Sequence, residues 1–344
     1  MKSHARTLRE VLLYAGAILF YLAPGSVLHA AHAHYATFDP PAALETDVTS
    51  VNAGGVITGY YYDSGVHTYR GFVRAFDGTV DTFEPSGSTE THANGINDDG
   101  EIIGNFLDAG SKLHAFLRSA EGTITAFDVT GAKSTSALGI NKRGVIVGTY
   151  SVVGQAGGGY LREPDGTITS FAVPDSTYTG PVGLNDESAV AGYWEDNTGD
   201  YHGFVRSADG TITKFDPEGS TETYSTAINK KGEIVGFYYS DTGIHGFLRT
   251  PDGTISVLDP PNSGLTYPFG IDRRGDVTGT YDDDTTHTIR GFLRKRAGKY
   301  KAFDAPGSNV TDPETIALMA DGSTAIGGEY KDSSGVQHGF LRTQ

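Results

Sequence analysis

One stretch, His202 to Gly243 (HGFVRSADGTITKFDPEGSTETYSTAINKKGEIVGFYYSDTG), recurs with variation along nearly the whole chain. A repeat of this length constrains a fold more tightly than composition does. A Phe-Asp-Pro-like element returns at Phe38, Phe83, Phe127, Phe171, Phe215, Leu258 and Phe303, seven copies at steps of 43 to 45 residues. A Gly-Phe element keeps the same period, its aromatic at Phe72, Phe116, Tyr160, Phe204, Phe247, Phe292 and Phe340. An Ile-Asn element does too, beginning at Val51, Ile96, Ile140, Leu184, Ile228, Ile271 and Ile316.

Each copy divides into four short runs rich in β-branched and aromatic residues, bounded by Gly, Asn, Asp and Pro, which is how strands and turns read in sequence. In the fifth copy these runs are Thr223 to Ile228, Glu233 to Tyr239, His245 to Arg249 and Thr254 to Leu258. Four strands per unit of about 40 to 45 residues is the spacing of a β-propeller blade. The ends complement each other: Tyr35 to Asp39 reads as a fourth strand lacking the first three, and His338 to Arg342 as a third strand lacking a fourth. The expectation is an all-β, seven-bladed β-propeller with four antiparallel strands per blade, closed by the N-terminal strand pairing into the last blade. Closure hides both strand edges, which otherwise invite aggregation. An open solenoid is the alternative, but it needs polar end caps for which no sequence remains.

Residues 1–33 stand outside the repeat. Lys2, Arg6 and Arg9 form a basic start, Val11 to Ala23 an apolar core and Ala31, His32, Ala33 a small-x-small cleavage pattern, the marks of a secretory signal. The expected organisation is a signal peptide over 1–33, cleaved near Ala33, and one propeller domain over 34–344, secreted or periplasmic. The chain has no cysteine, which excludes thiol catalysis and thiolate metal sites. Its formal charge is −16, and loss of the first 33 residues leaves 23 basic against 41 acidic side chains. Such a surface repels phosphate backbones and anionic lipid, so neither nucleic acid nor acidic membrane is an expected partner. A monomer is expected.

Comparing copies within the chain separates shared positions from variable ones. Strand two carries an aromatic at Tyr61, Phe106, Tyr150, Trp194, Tyr238, Tyr281 and Tyr330, read as packing between blades. Thr46, Thr91, Thr135, Thr179, Thr223, Thr266 and Thr311 form an unbroken column expected to satisfy a loop backbone group. An arginine column, from Arg74 and Arg118 to Arg342, persists in every copy without an evident partner.

Before the Gly-Phe element stand Arg70, His114, Gly158, His202, His245, Arg290 and His338. The acidic position of the Phe-Asp element holds Glu84, Asp128, Ala172, Asp216, Asp259 and Asp304, with Asp39 completing the set through closure. Copy three loses both partners at once, which predicts paired contact. A three-residue hairpin loop at Ala120, Glu121 and Gly122 places His114 opposite Asp128 and Arg118 opposite Ile124. The pairs His114–Asp128, His202–Asp216, His245–Asp259 and His338–Asp39 are therefore expected to be structural, since a catalytic site is single and these recur round the ring. Each is worth roughly 0.2 to 1 kcal/mol. The Asn97 to Gly100 turn and its relatives resemble calcium loops only superficially, because lysine and arginine replace the ligands in copies three, five and six. No metal and no cofactor are expected.

On the face with the longer loops, one column next to the threonine varies freely: Asp47, His92, Ser136, Gly180, Tyr224, Tyr267 and Asp312. If the strand bearing it is innermost, Asp47, His92, Ser136, Tyr224, Tyr267 and Asp312 ring the channel mouth and are the candidate ligand-binding residues.

The run His114, Ala115, Phe116, Leu117, Arg118, with its relatives at His202 to Arg206, His245 to Arg249 and His338 to Arg342, resembles the HAF-repeat family of bacterial extracellular repeat proteins. Copies one, three and six depart from it at Arg70, Gly158 and Arg290. The resemblance covers the mature chain and implies export and a repeat fold, with no activity and no catalytic residues to carry over. The expected role is an exported, non-enzymatic scaffold binding a glycan, small polar molecule or protein at its loop-rich face. The alternative is a hydrolase, lactonase or lyase acting at the channel mouth.

Overall fold

The structure is a computed structural model, described over residues 33–154 and 157–344. The export segment read over 1–33 therefore lies, but for Ala33, outside the described residues. Those residues form twenty-eight strands and no helix. The strands run in order as antiparallel meanders of four. Copy five comprises Glu222–Ile228, Ile234–Ser240, Gly243–Arg249 and Ile255–Val257, within one or two residues of the sequence expectation except for a last strand two residues shorter. Neighbouring meanders touch edgewise through single parallel bridges, at Glu45–Gln337, Gly157–Tyr178 and Ile244–Leu265.

The opening strand His34–Phe38 pairs antiparallel with the final strand Gln337–Thr343, from His34 opposite Thr343 to Phe38 opposite Gly339. It takes the place that a fourth strand fills in every other copy. Copy seven also packs on copy one: Gln337 Nε2 donates to Asp47 Oδ1 at 2.8 Å and Val51 N to Thr315 Oγ1 at 3.3 Å.

The first strand of each copy carries a bulge at the same place, as between Ala93 and Gly95 or Ser225 and Ala227. A glycine faces the strand just before it. A Cβ on Gly148 would lie 1.8 Å from the Ser136 carbonyl oxygen, and one on Gly59 would lie 1.9 Å from that of Asp47. No side chain fits there, which explains the glycine column of strand two. The bulged residue reaches the next copy: Thr49 Oγ1 donates to Ala93 O, Asn94 Nδ2 to Ala137 O and Thr226 Oγ1 to Pro268 O.

The Ile-Asn element ends the first strand, and its asparagine does two jobs. Asn141 Oδ1 accepts from the backbone N–H of Arg143 and Val145, closing its own turn, while Nδ2 donates to Asn185 O of the next copy at 3.0 Å. Asn52 reaches Asn97 O, Asn97 reaches Asn141 O and Asn229 reaches Asp272 O in the same way. In copy seven the hairpin runs on past Ile316 to pair Leu318 with Thr324, so its turn starts at Met319. Asp272 has no donor for that copy, and Arg273 Nη2 contacts Met319 O instead, at 3.4 Å.

The third and fourth strands pack through the Phe columns. Phe83 meets Phe116 edge-on at 6.0 Å, Phe127 meets Tyr160 and Phe171 meets Phe204, each pair spanning two copies. The arginine column lies on the same rings: Arg118 over Phe83 at 4.9 Å, Arg162 over Phe127 at 4.8 Å, Arg249 over Phe215 at 4.9 Å and Arg342 over Phe303 at 4.6 Å. Copy five has Leu258 in place of the ring, and Arg294 turns to Tyr300. The partner that sequence left unassigned is thus the preceding copy's phenylalanine, held by cation–π attraction.

Asn141→Ala removes two turn bonds and the link between copies. It is expected to cost about 2 to 3 kcal/mol, whereas Asn141→Asp, which keeps the turn cap and loses the inter-copy donor, costs about 1 to 2 kcal/mol. Urea unfolding midpoints check the order; equal losses would mean that the link contributes nothing.

Candidate functional site

The His–Asp pairs form as register dictates. Ala115 stands opposite Phe127 and Arg118 opposite Ile124, with Gly122 at φ 96° closing the loop. His114 Nδ1 lies 2.8 Å from Asp128, His202 Nδ1 2.9 Å from Asp216, His245 Nδ1 2.8 Å from Asp259 and His338 Nδ1 2.7 Å from Asp39. In copies one and six, Arg70 and Arg290 take Glu84 and Asp304.

A second partner escaped the sequence reading. His114 Nε2 also meets Asp108 at 3.2 Å, and His202 and His338 meet Asp196 and Asp332 at 3.6 Å. Arg70 and Arg290 reach Asp63 and Asp283. These acids sit two residues after the strand-two aromatic, a Tyr-x-Asp spacing visible in five copies. The aromatic itself packs on its own copy's histidine, as Phe106 on His114 at 5.1 Å and Trp194 on His202 at 4.8 Å. Both imidazole nitrogens and one ring face are therefore occupied within the sheet. The threonine column caps loops in three copies: Thr135, Thr179 and Thr311 Oγ1 accept from the N–H of Val129, Val173 and Ala305.

The central cavity, about 240 Å³, is lined by the first-strand ends of all seven copies, Asn52, Asn97, Asn141, Asn185, Asn229 and Asp272 among them. The first strand is therefore innermost. None of the six mouth candidates lines this cavity; they lie at the other end of the same strands, and all but Ser136 lean on the preceding copy. Asp47, 5% exposed, accepts from Gln337. His92 Nε2 is 2.7 Å from Glu90, and its ring packs on Tyr60 at 4.2 Å and Tyr69 at 5.1 Å. Ser136 O accepts from the Tyr160 hydroxyl. Asp312 Oδ1 accepts from Thr280 Oγ1 at 2.6 Å.

Tyr224 and Tyr267 belong to a larger aromatic arc across copies four to six. Tyr224 packs on Tyr193 at 5.3 Å, Tyr201 at 5.1 Å and Phe237 at 5.2 Å, and Phe237 in turn meets Tyr267 at 5.1 Å. Tyr193 and Phe237 come from a strand-two column one residue before the shared aromatic, Tyr60, Asn105, Thr149, Tyr193, Phe237, Thr280 and Glu329, which sequence reasoning missed although it varies as freely as the first. Burial, then the hydrogen bond to Glu222, raises the Tyr224 phenol far above its ordinary value. Burial does the same to Tyr193 and Tyr267. These phenols stay protonated and serve as donors and apolar faces, not as bases.

Among the described residues, the carboxylates of Asp312, Glu314 and Glu329 are close enough to share a cation, with one oxygen of each within 4.8 Å of the others.

For His338, burial opposes the charged form, but Asp39 and then Asp332 outweigh it and the pKa is raised. A raised folded-state pKa stabilises below the unfolded value near 6.5 and loses that stabilisation as pH climbs through the folded value. His338→Gln is expected to cost about 0.5 kcal/mol at pH 5 and less at pH 8.5; paired denaturation curves at the two pH values check this, and a cost that grows with pH would contradict it.

The sequence matches no family model and no curated protein. Solved structures do resemble the fold. The β-propeller domain of the Trilobed protease from Pyrococcus furiosus, described as having an open velcro topology, superposes with a TM-score of 0.61 at 12% identity, over 86% of this chain and 95% of that one. A prolyl endopeptidase gives 0.59 at 14% identity over 84% of this chain, and puromycin hydrolase 0.54 at 12% over 84%. The chain spans only 46% and 51% of those two proteins. The shared fold is that of a β-propeller.

Proposed function

We propose that this chain is an exported, seven-bladed propeller closed by its N-terminal strand, and that it acts as a binding scaffold taking a glycan on the aromatic arc of its loop-rich face. Closure is supported by the pairing of His34–Phe38 with Gln337–Thr343 and by a cavity lined from all seven copies. Export is supported by the basic, apolar and small-residue order of the first 33 residues and by the HAF-type motif.

The observation that carries the binding reading is the arc itself. Tyr193, Tyr201, Tyr224, Phe237 and Tyr267 pack ring to ring over successive copies, and Tyr201, Tyr224 and Tyr267 are only partly covered. Tyrosine offers an apolar face with a polar tip, suited to a surface one side of which is wet. The C–H face of a pyranose stacks on such rings while Glu195 and Glu222 at the edge take its hydroxyls. Catalysis asks instead for a poised base, and the arc's phenols are held protonated.

Purified protein screened on a glycan array is expected to retain one class of oligosaccharide. Tyr201→Ala and Tyr267→Ala each lower that affinity about tenfold, or about 1.4 kcal/mol. Turnover of an ester or lactone substrate that disappears in His92→Ala or Tyr267→Phe would overturn the scaffold reading in favour of an enzyme. Capture of a protein with no glycan bound would overturn the ligand class alone.

A further inference from the structure

The opposite face carries a departure from the repeat that the aromatic arc does not explain. Between strands three and four, the residue before the turn glycine is acidic in five copies: Asp77, Glu121, Asp165, Asp209 and Asp252. Its carboxylate accepts the N–H two residues on, as Asp77 from Thr79, Asp165 from Thr167 and Asp209 from Thr211. Copy six alone has Ala297 there, flanked by Lys295, Arg296 and Lys299. Its other turn on this face is basic as well, with Arg273 and Arg274. Copies three and five also have a basic turn of this second kind, but only copy six combines it with a basic turn between strands three and four, within a chain of formal charge −16.

The fold brings these turns together. Lys231, Arg273, Arg274, Asp276, Lys295 and Arg296 line an open cavity of about 600 Å³. The acids that pair with these basic side chains are more deeply buried than they are: the side chains of Asp272, Asp276 and Glu233 are 0%, 6% and 9% exposed, whereas those of Arg274, Lys295 and Arg296 are 40%, 42% and 57% exposed. Asp276 binds Lys295 Nζ at 3.0 Å and the Arg296 N–H at 2.9 Å, which orients both basic side chains. Lys231 Nζ donates to Arg274 O, and Arg273 Nη2 to Met319 O. Those contacts use up one donor each and leave the charge unneutralised. Five cations against three carboxylates give a local excess of two positive charges.

We propose that this cavity is a binding site for a compact, phosphate-bearing polyanion. Arg273 and Arg296 supply planar guanidinium forks that match tetrahedral oxyanions, Arg274, whose Nη1 and Nη2 donate to Gly322 O and Thr324 Oγ1, adds its charge, and two ammonium groups supply point charges. The surrounding acidic surface repels any long polyanion that runs beyond the cavity, which selects a small ligand over a polymer.

Calorimetric titration of the full chain with pyrophosphate at low salt tests the assignment. Single-site binding tighter than about 1 mM is expected, weakening as salt rises. Citrate is expected to bind at least tenfold more weakly. Ala297→Asp restores the turn residue of the other copies and is therefore compatible with folding; it is expected to lower affinity tenfold or more, as is Arg273→Ala. Lys142→Ala, on the same face in copy three, leaves binding unchanged. Absence of binding, equal affinity for citrate, no effect of Ala297→Asp on a variant of native melting temperature, or equal losses with Lys142→Ala would each overturn the site.

Discussion

One asparagine amide in each of copies one, two, three and five is the interaction on which the contacts between copies depend. Its oxygen closes a turn and its nitrogen bonds the next copy's carbonyl, so that local and inter-copy structure share a side chain. Both ends of the amide are buried, and loss of either strands a polar group, at about 1 to 3 kcal/mol. The requirement is strict enough that its exceptions are informative. Asp272 keeps the turn and lacks the donor, and the neighbouring Arg273 spans the gap to Met319. Arg273, one of the residues lining the basic cavity, thus also bridges the gap left by the missing amide.

Further out, a second set of contacts links the same neighbours. Phenylalanine from one copy lies between an aromatic and an arginine of the next, and the glycine of the Gly-Phe element makes room for the following ring: a Cβ on Gly203 would approach Phe215 to 2.5 Å. The cation–π contact lets a long charged side chain cover an apolar seam while its end stays hydrogen-bonded, as Arg118 is to Asp81. Inner polar links set the register between copies, and outer stacking seals the seam.

The period, the strands, the His–Asp register and the pairing of the two ends were legible because each follows from spacing along one chain. His338 and Asp39 are 299 residues apart, yet a count of strands puts them face to face. Contacts between copies were less legible. The arginine column gave no hint of its phenylalanine, because the two lie in different copies and their proximity depends on the angle between sheets. The bulge hid for a related reason: its evidence is the strand-two glycine column, and a glycine in a strand reads first as a weak point. For the mouth candidates, sequence could not set the lean. Asp47, His92 and Tyr224 turn toward the preceding copy, and the strand-two column supplying two of the five rings of the aromatic arc was masked by the shared aromatic beside it.

Repetition also limits where function can arise. A residue that every copy needs cannot change without loosening a seam, which is why the asparagine, threonine and arginine columns are nearly uniform. Variation is tolerated where a side chain contacts only one neighbour and water. Two regions meet that condition: the loop-rich ends of the first two strands and the paired turns at the opposite face. In the first, tyrosines accumulate over copies four to six; in the second, basic residues accumulate in copy six. Each is confined to adjacent copies, as expected if a ligand spans a seam rather than sits on the axis. The cavity lined by all seven copies, by contrast, is bounded largely by the near-uniform Ile-Asn positions that the contacts between copies require. The inner ends of the first strands are thus taken up by contacts between copies, and the positions free to vary lie at the seams.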